Sequence, residues 1–213
     1  MADAAREKPE QTPPSRRAAM DRMPLPALPQ RGPATATTRT IEAWLASARS
    51  EPAKALEEWR DQGVTLLPLG RHFSAVRIPV ALVHSALDVD DSDGRRLAAV
   101  LRSSLNGPVI RDQRASGGVY YALVPWWSAS GWSEGDGVHL LGDGVYLGVP
   151  ALKRTDPPGS HWVLLPKHRH DLCSTGRVAD LIRRVAPVAQ EAAAADLDGQ
   201  PDFGLASTNA HQP

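Results

Sequence analysis

The sequence predicts an α+β fold, a mixed and mostly antiparallel sheet with flanking helices. Three observations carry the class. Apolar residues recur at helical spacing at both ends of the central region, as Ile41, Trp44, Leu45 and Ala48 and again as Val178, Leu181, Ile182 and Val185. Between them lie short β-type runs bounded by Gly, Pro and Asn. Their order is helix, two strands, helices, about five strands, then a helix, which is the α+β pattern.

Taken in order, residues 1–39 hold seven of the nineteen prolines, among them Pro13-Pro14, Pro24, Pro26 and Pro29. Proline removes a backbone donor and disfavours helix in the residue before it, so this segment reads as a disordered tail. The folded domain is expected over 40–190, opening with a helix capped by Thr40. Ser50 and Pro52 mark a restart, and Leu56 and Trp59 continue an apolar face up to Gly63, a natural left-handed cap. Two short strands follow, Val64–Leu69 and Phe73–Ile78, the second closed by Pro79. The alanine content of 80–87 favours helix. Leu97, Val100, Leu101 and Leu105 then give an amphipathic helix ended by Asn106-Gly107.

Strands are expected at 108–111 and 118–124. Val138–Leu141 and Val145–Val149 flank Gly142-Asp143-Gly144 and predict a hairpin, because such residues accept the positive φ of a tight turn. His161–Leu165 is the last strand. The closing helix is expected to kink or end at Pro187, and 191–213 reads as a disordered tail.

Composition narrows the function classes. The 213 residues carry 24 basic and 24 acidic side chains, so the basic excess usual for phosphate-backbone binding is absent overall. Cys173 is the single cysteine, which excludes an intrachain disulfide and a multi-cysteine zinc knuckle. No run approaches the roughly 18–20 apolar residues that span a bilayer. A cytoplasmic protein without a membrane partner is expected.

The acidic run Asp88-Val89-Asp90-Asp91-Ser92-Asp93-Gly94 fails as a calcium loop, since the ligand positions counted from Gly94 fall on Val89 and Val100. It suits helix capping. His161, His168, His170 and Cys173 are metal-ligand types close in sequence, but they lack a matching second pair, so no metal and no cofactor is assigned. No nucleophile elbow or phosphate-cradling loop is present, and no catalytic residue is assigned. Trp126, Trp127 and Trp132 follow Pro125; they are candidate binding residues by stacking, although folding back over the sheet is the favoured reading.

Several motifs in order carry a resemblance: Val64-Thr65-Leu66-Leu67-Pro68-Leu69-Gly70, Gly107-Pro108-Val109-Ile110 before Ser116-Gly117-Gly118, Tyr121-Ala122-Leu123-Val124-Pro125, Gly144-Val145-Tyr146-Leu147-Gly148-Val149-Pro150 and Gly159-Ser160-His161-Trp162. Over about 100 residues the chain resembles the N-terminal domain of bacterial bifunctional DNA primase/polymerases, of the archaeo-eukaryotic primase superfamily, in a degenerate version. In that family an apolar strand ends in an Asp-x-Asp pair that binds two divalent metals. Counting from Gly70, Arg77-Ile78-Pro79 stands there, and Val119 or Tyr120 falls where the family has a histidine.

The resemblance therefore implies the fold without the chemistry: a binding or accessory module for a nucleotide, a nucleic acid or a protein partner. Arg77, Arg111, Arg114 and Tyr120 join the tryptophans as candidate binding residues. Two alternatives remain open. One is an active metal-dependent nucleotidyltransferase using Asp88 and Asp90; the other is a zinc-binding regulator using His161, His168, His170 and Cys173.

Overall fold

The computed structural model describes residues 33–114, 117–129 and 137–198. Two helices come first, α1 (Pro33–Ala46) and α2 (Pro52–Asp61), then strands β1 (Val64–Pro68) and β2 (Ser74–Pro79). Helices α3 (Val80–Leu87) and α4 (Gly94–Leu105) follow, then β3 (Val109–Asp112) and β4 (Val119–Val124). A short 3-10 turn, Trp126–Ala129, leads to β5 (His139–Leu141), β6 (Tyr146–Pro150) and β7 (His161–Leu164), and helix α5 (Thr175–Asp198) closes the chain. The α+β class is as the sequence predicts.

Five strands form one sheet in the order β5-β2-β4-β3-β7, with every neighbouring pair antiparallel. The remaining two, β1 and β6, make a separate antiparallel ribbon. Successive strand residues point to opposite faces, so each strand feeds two cores. Ala75, Ile110, Leu123 and Trp162 face a core shared with α1, α2 and the ribbon, where Leu45, Ala55, Leu67 and Val149 are fully buried. Val76, Ile78, Tyr120, Ala122 and Val124 face the other core, built with Val83 of α3, Leu101 of α4 and Val178 of α5.

Local chemistry explains the element ends. The Asp93 carboxylate accepts from the backbone N–H groups of Arg95 and Arg96, so the acidic run does cap α4. Asp88 and Asn106 close α3 and α4 in the left-handed conformation, with φ of 50° and 49°. No helix among the described residues is long and apolar enough to cross a membrane.

Four expectations need correction. Helix α1 begins at Pro33, before the expected cap; Thr40 lies inside it, its hydroxyl donating to the Ala36 carbonyl. Proline is well suited to the first helical turn, where its missing donor costs nothing. Helix α5 runs on through Pro187 to Asp198, past the expected start of the C-terminal tail at 191. The expected hairpin at 142–144 is a corner: β5 pairs with β2 in the large sheet, whereas β6 pairs with β1 in the ribbon. Pairing with β1 puts Leu147 and Val149 into the helix-side core, and a hairpin partner only three residues long offers no such cover. Finally, Trp126 and Trp127 do not fold back over the sheet; they stand 49% and 63% exposed, edge to face at 5.8 Å.

Candidate binding site

One row of side chains crosses the sheet on the α3–α4–α5 face. The registers Ile78↔Tyr120, Tyr120↔Arg111 and Arg111↔His161 set four residues abreast on β2, β4, β3 and β7. Tyr120, Arg111 and His161 are all buried there. A guanidinium so placed must find a counter-charge, because an unpaired buried cation is costly. Asp91 supplies it from the loop between α3 and α4. Its carboxylate takes both terminal nitrogens of Arg111, Nη2 to Oδ2 at 2.6 Å and Nη1 to Oδ1 as well. Arg111 also lies over the Tyr120 ring, 5.6 Å from its centroid.

Helix α3 adds His84 to this chain of polar groups. Its Nε2 is 2.9 Å from the Tyr120 Oη and 3.6 Å from Asp91 Oδ1. Burial pushes the Tyr120 phenol up to about 12, so it stays protonated and donates to His84 Nε2 when the imidazole is neutral. Burial likewise holds His84 below the usual imidazole value, helped by Arg111 and opposed by Asp91 and Asp90. The hydrogen bonds from Arg111 hold the Asp91 carboxyl below the carboxylate range. One atom is left over: Arg111 Nε is buried and without a hydrogen-bond partner among the described residues. His161 Nδ1 sits 2.9 Å from the Gly159 carbonyl.

Of this row Arg111 and His161, together with Asp91, line a cavity of about 690 Å³ between α4 and β7. Arg102 and Lys167 stand on its rim, Gln113, Thr155 and Asp156 on one side, and Leu97, Ala98, Val163 and Pro166 supply apolar wall. Both rim cations are exposed, and Arg102 makes no ion pair among the described residues. The volume lies within the range of small-molecule sites, and a mostly apolar wall with a few convergent polar groups is their usual chemistry. The neighbouring cavity between α3 and α4, about 450 Å³, is lined instead by Asp88, Asp90 and Asp93 against Arg96.

The structure divides the residues singled out in the sequence. Arg111 and Tyr120 meet in the row just described. Arg77 lies on the opposite face of β2, beside Tyr121 and His139, with Nη1 donating to the Gly137 carbonyl at 3.3 Å. Arg114, just past β3, is paired with Asp112 and donates to Ser160 Oγ. Trp126 and Trp127 sit in the 3-10 turn, away from this row, and Trp132 lies outside the described residues.

Asp88 and Asp90 are both exposed; Asp90 accepts from Ser92, and Asp93, which lines the same cavity, is turned to the helix N-terminus that it caps. Cys173 is buried, with its thiol donating to the Pro108 carbonyl, and burial pushes it up to about 12. His168 turns to the Arg169 carbonyl and His170 lies edge-on to Trp44. Among the described residues no three His, Cys, Asp or Glu side chains converge to hold a metal ion.

Sequence reasoning missed His84, Asp91, Arg102 and Lys167. They stand on α3, on the loop before α4, on α4 and after β7, and only the packing of these elements against the sheet brings them to the row. Comparison of the chain with protein-family models, with curated proteins and with solved structures finds no match.

Proposed function

We propose that this chain is a non-catalytic, primase/polymerase-like binding module that takes a nucleotide in the cavity between α4 and β7. The observation that carries the reading is the buried Arg111 guanidinium in the cavity wall, paired with the half-exposed Asp91 and with its Nε left unsatisfied among the described residues. A buried cation held by a half-exposed carboxylate is a poor way to stabilise a core, and apolar residues of similar volume do as well or better. Polar groups kept at such a cost beside a cavity suit ligand recognition. Arg102 and Lys167 provide the cations for phosphates, and the apolar wall with Gln113, Thr155 and His161 suits a nucleoside.

Calorimetric titration of ATP and of adenosine into the full chain tests this reading. ATP should bind saturably, and the Arg102→Ala, Lys167→Ala double variant should weaken it by roughly tenfold or more. Equal affinity for adenosine and ATP, or no binding of either, removes the proposal. Template-dependent nucleotide incorporation with Mn²⁺, lost on Asp88→Ala with Asp90→Ala, would replace it by the active nucleotidyltransferase.

A further inference from the structure

Three guanidinium groups line a further cavity, of about 540 Å³, where α2, the ribbon and the β6–β7 loop meet. Arg49 arrives from the turn after α1, Arg114 from the end of β3, and Arg154 from the loop after β6. Their partners hold them at the wall without closing it. Arg49 Nη1 donates to Glu58 at 2.9 Å and to Thr65 Oγ1 at 3.2 Å. Arg114 uses Nε and Nη2 on Asp112 and Nη2 on the buried Ser160 hydroxyl.

Arg154 is the most telling of the three. It makes no ion pair among the described residues, and its Nη2 donates to the Pro158 carbonyl at 2.7 Å. Two glycines frame it: a Cβ on Gly63 would stand 3.2 Å from Nη1 and a Cβ on Gly159 3.4 Å from Nη2. The guanidinium thus lies in a slot that side chains would crowd. Glu58 lines the cavity and pairs with Arg49, and Asp112 pairs with Arg114 beside it, so three guanidiniums are matched by two carboxylates and Arg154 is left with the uncompensated charge. Like charges gathered this way repel, and the arrangement is relieved by an anion at their centre. Arginine, with its planar fork of donors, is the residue that grips a tetrahedral oxyanion best.

We infer that the Arg49–Arg114–Arg154 cavity is an oxyanion site that takes a phosphate group. No residue lines both this cavity and the α4–β7 one, and the inference does not depend on the nucleotide reading. The phosphate can belong to a small molecule or to a nucleic-acid backbone, and the test separates the two. Inorganic phosphate and a twelve-residue oligothymidylate lacking terminal phosphate are titrated calorimetrically into the full chain and into Arg154→Gln. Saturable binding of phosphate alone identifies a small-molecule source, and binding of the oligonucleotide a backbone source.

In either case Arg154→Gln should weaken binding by at least about tenfold. Arg154→Lys, which keeps the charge and loses the fork, should fall between. Arg114→Gln, at a largely exposed side chain, gives the same answer should Arg154→Gln fail to fold. If the wild-type chain binds neither probe saturably, or the variants bind as tightly as wild type, the inference is wrong. Arg102→Ala with Lys167→Ala addresses the other cavity, so loss of one site is told apart from loss of the other.

Discussion

Arg111 and Asp91 differ in exposure, 11% against 53% for their side chains, and this asymmetry decides what each substitution costs. Asp91→Asn leaves a buried guanidinium without its anion; discounted for the water that reaches Asp91, the loss is on the order of 1–3 kcal/mol. Adding Arg111→Met removes the stranded charge and should restore most of that stability, which chemical denaturation of the single and double variants will measure. Acid acts on the same cluster. Both His84 and Asp91 bind protons more weakly in the folded chain than in the unfolded one. Their contributions are therefore complete above the ordinary values of 6.5 and 3.8 and decline as pH falls through the folded ones. Melting temperature should drop in two stages on acidification, with His84→Gln flattening the upper stage and Asp91→Asn the lower. His72, also held low by burial, keeps part of the upper stage in the His84 variant.

The elements meet most tightly where α4 gives way to β3. A Cβ on Gly107 would stand 2.4 Å from the Cys173 backbone nitrogen, and the segment 171–173 is docked there by Cys173 N–H donating to the Leu123 carbonyl at 2.7 Å. Gly107→Ala must push two backbones apart, so a loss above about 2 kcal/mol is expected. Gly176, in the first turn of α5, has nothing within 4 Å of its would-be Cβ, and Gly176→Ala should gain about 0.5–1 kcal/mol. Urea melts of the two variants should move in opposite directions. At this scale the sequence was largely legible: periodicity located α1, α2, α4 and α5, alanine content located α3, and Gly and Pro punctuation located the strands. Which strands pair was not legible, because Gly142-Asp143-Gly144 serves a corner as readily as a hairpin. The deciding fact, the burial of Leu147 and Val149 against α1 and α2, exists only in three dimensions. The binding row failed to show for the same reason, since Tyr120, Arg111 and His161 become neighbours only through strand register.

Across the whole molecule the five-stranded sheet is a shared wall between two cores, and this has a consequence for unfolding. Leu123 belongs to the helix–ribbon core and its neighbours Ala122 and Val124 to the other, so neither core can open without disturbing the strand that builds both. The tryptophans among the described residues report on one side only: Trp59 and Trp162 are buried in the helix–ribbon core and Trp44 packs against it, whereas Trp126 and Trp127 are already exposed. The change in fluorescence on unfolding thus follows that core, while far-ultraviolet dichroism follows the helices of both. Leu101 is fully buried in the opposite core, and Leu101→Ala should cost about 2–5 kcal/mol through lost burial and the cavity left behind. If the sheet couples the cores, this variant shifts the fluorescence and dichroism midpoints together and by equal amounts, as a two-state domain requires. A dichroism transition that moves to lower denaturant while the fluorescence transition stays in place would mean that the cores unfold separately, with the sheet parting between them.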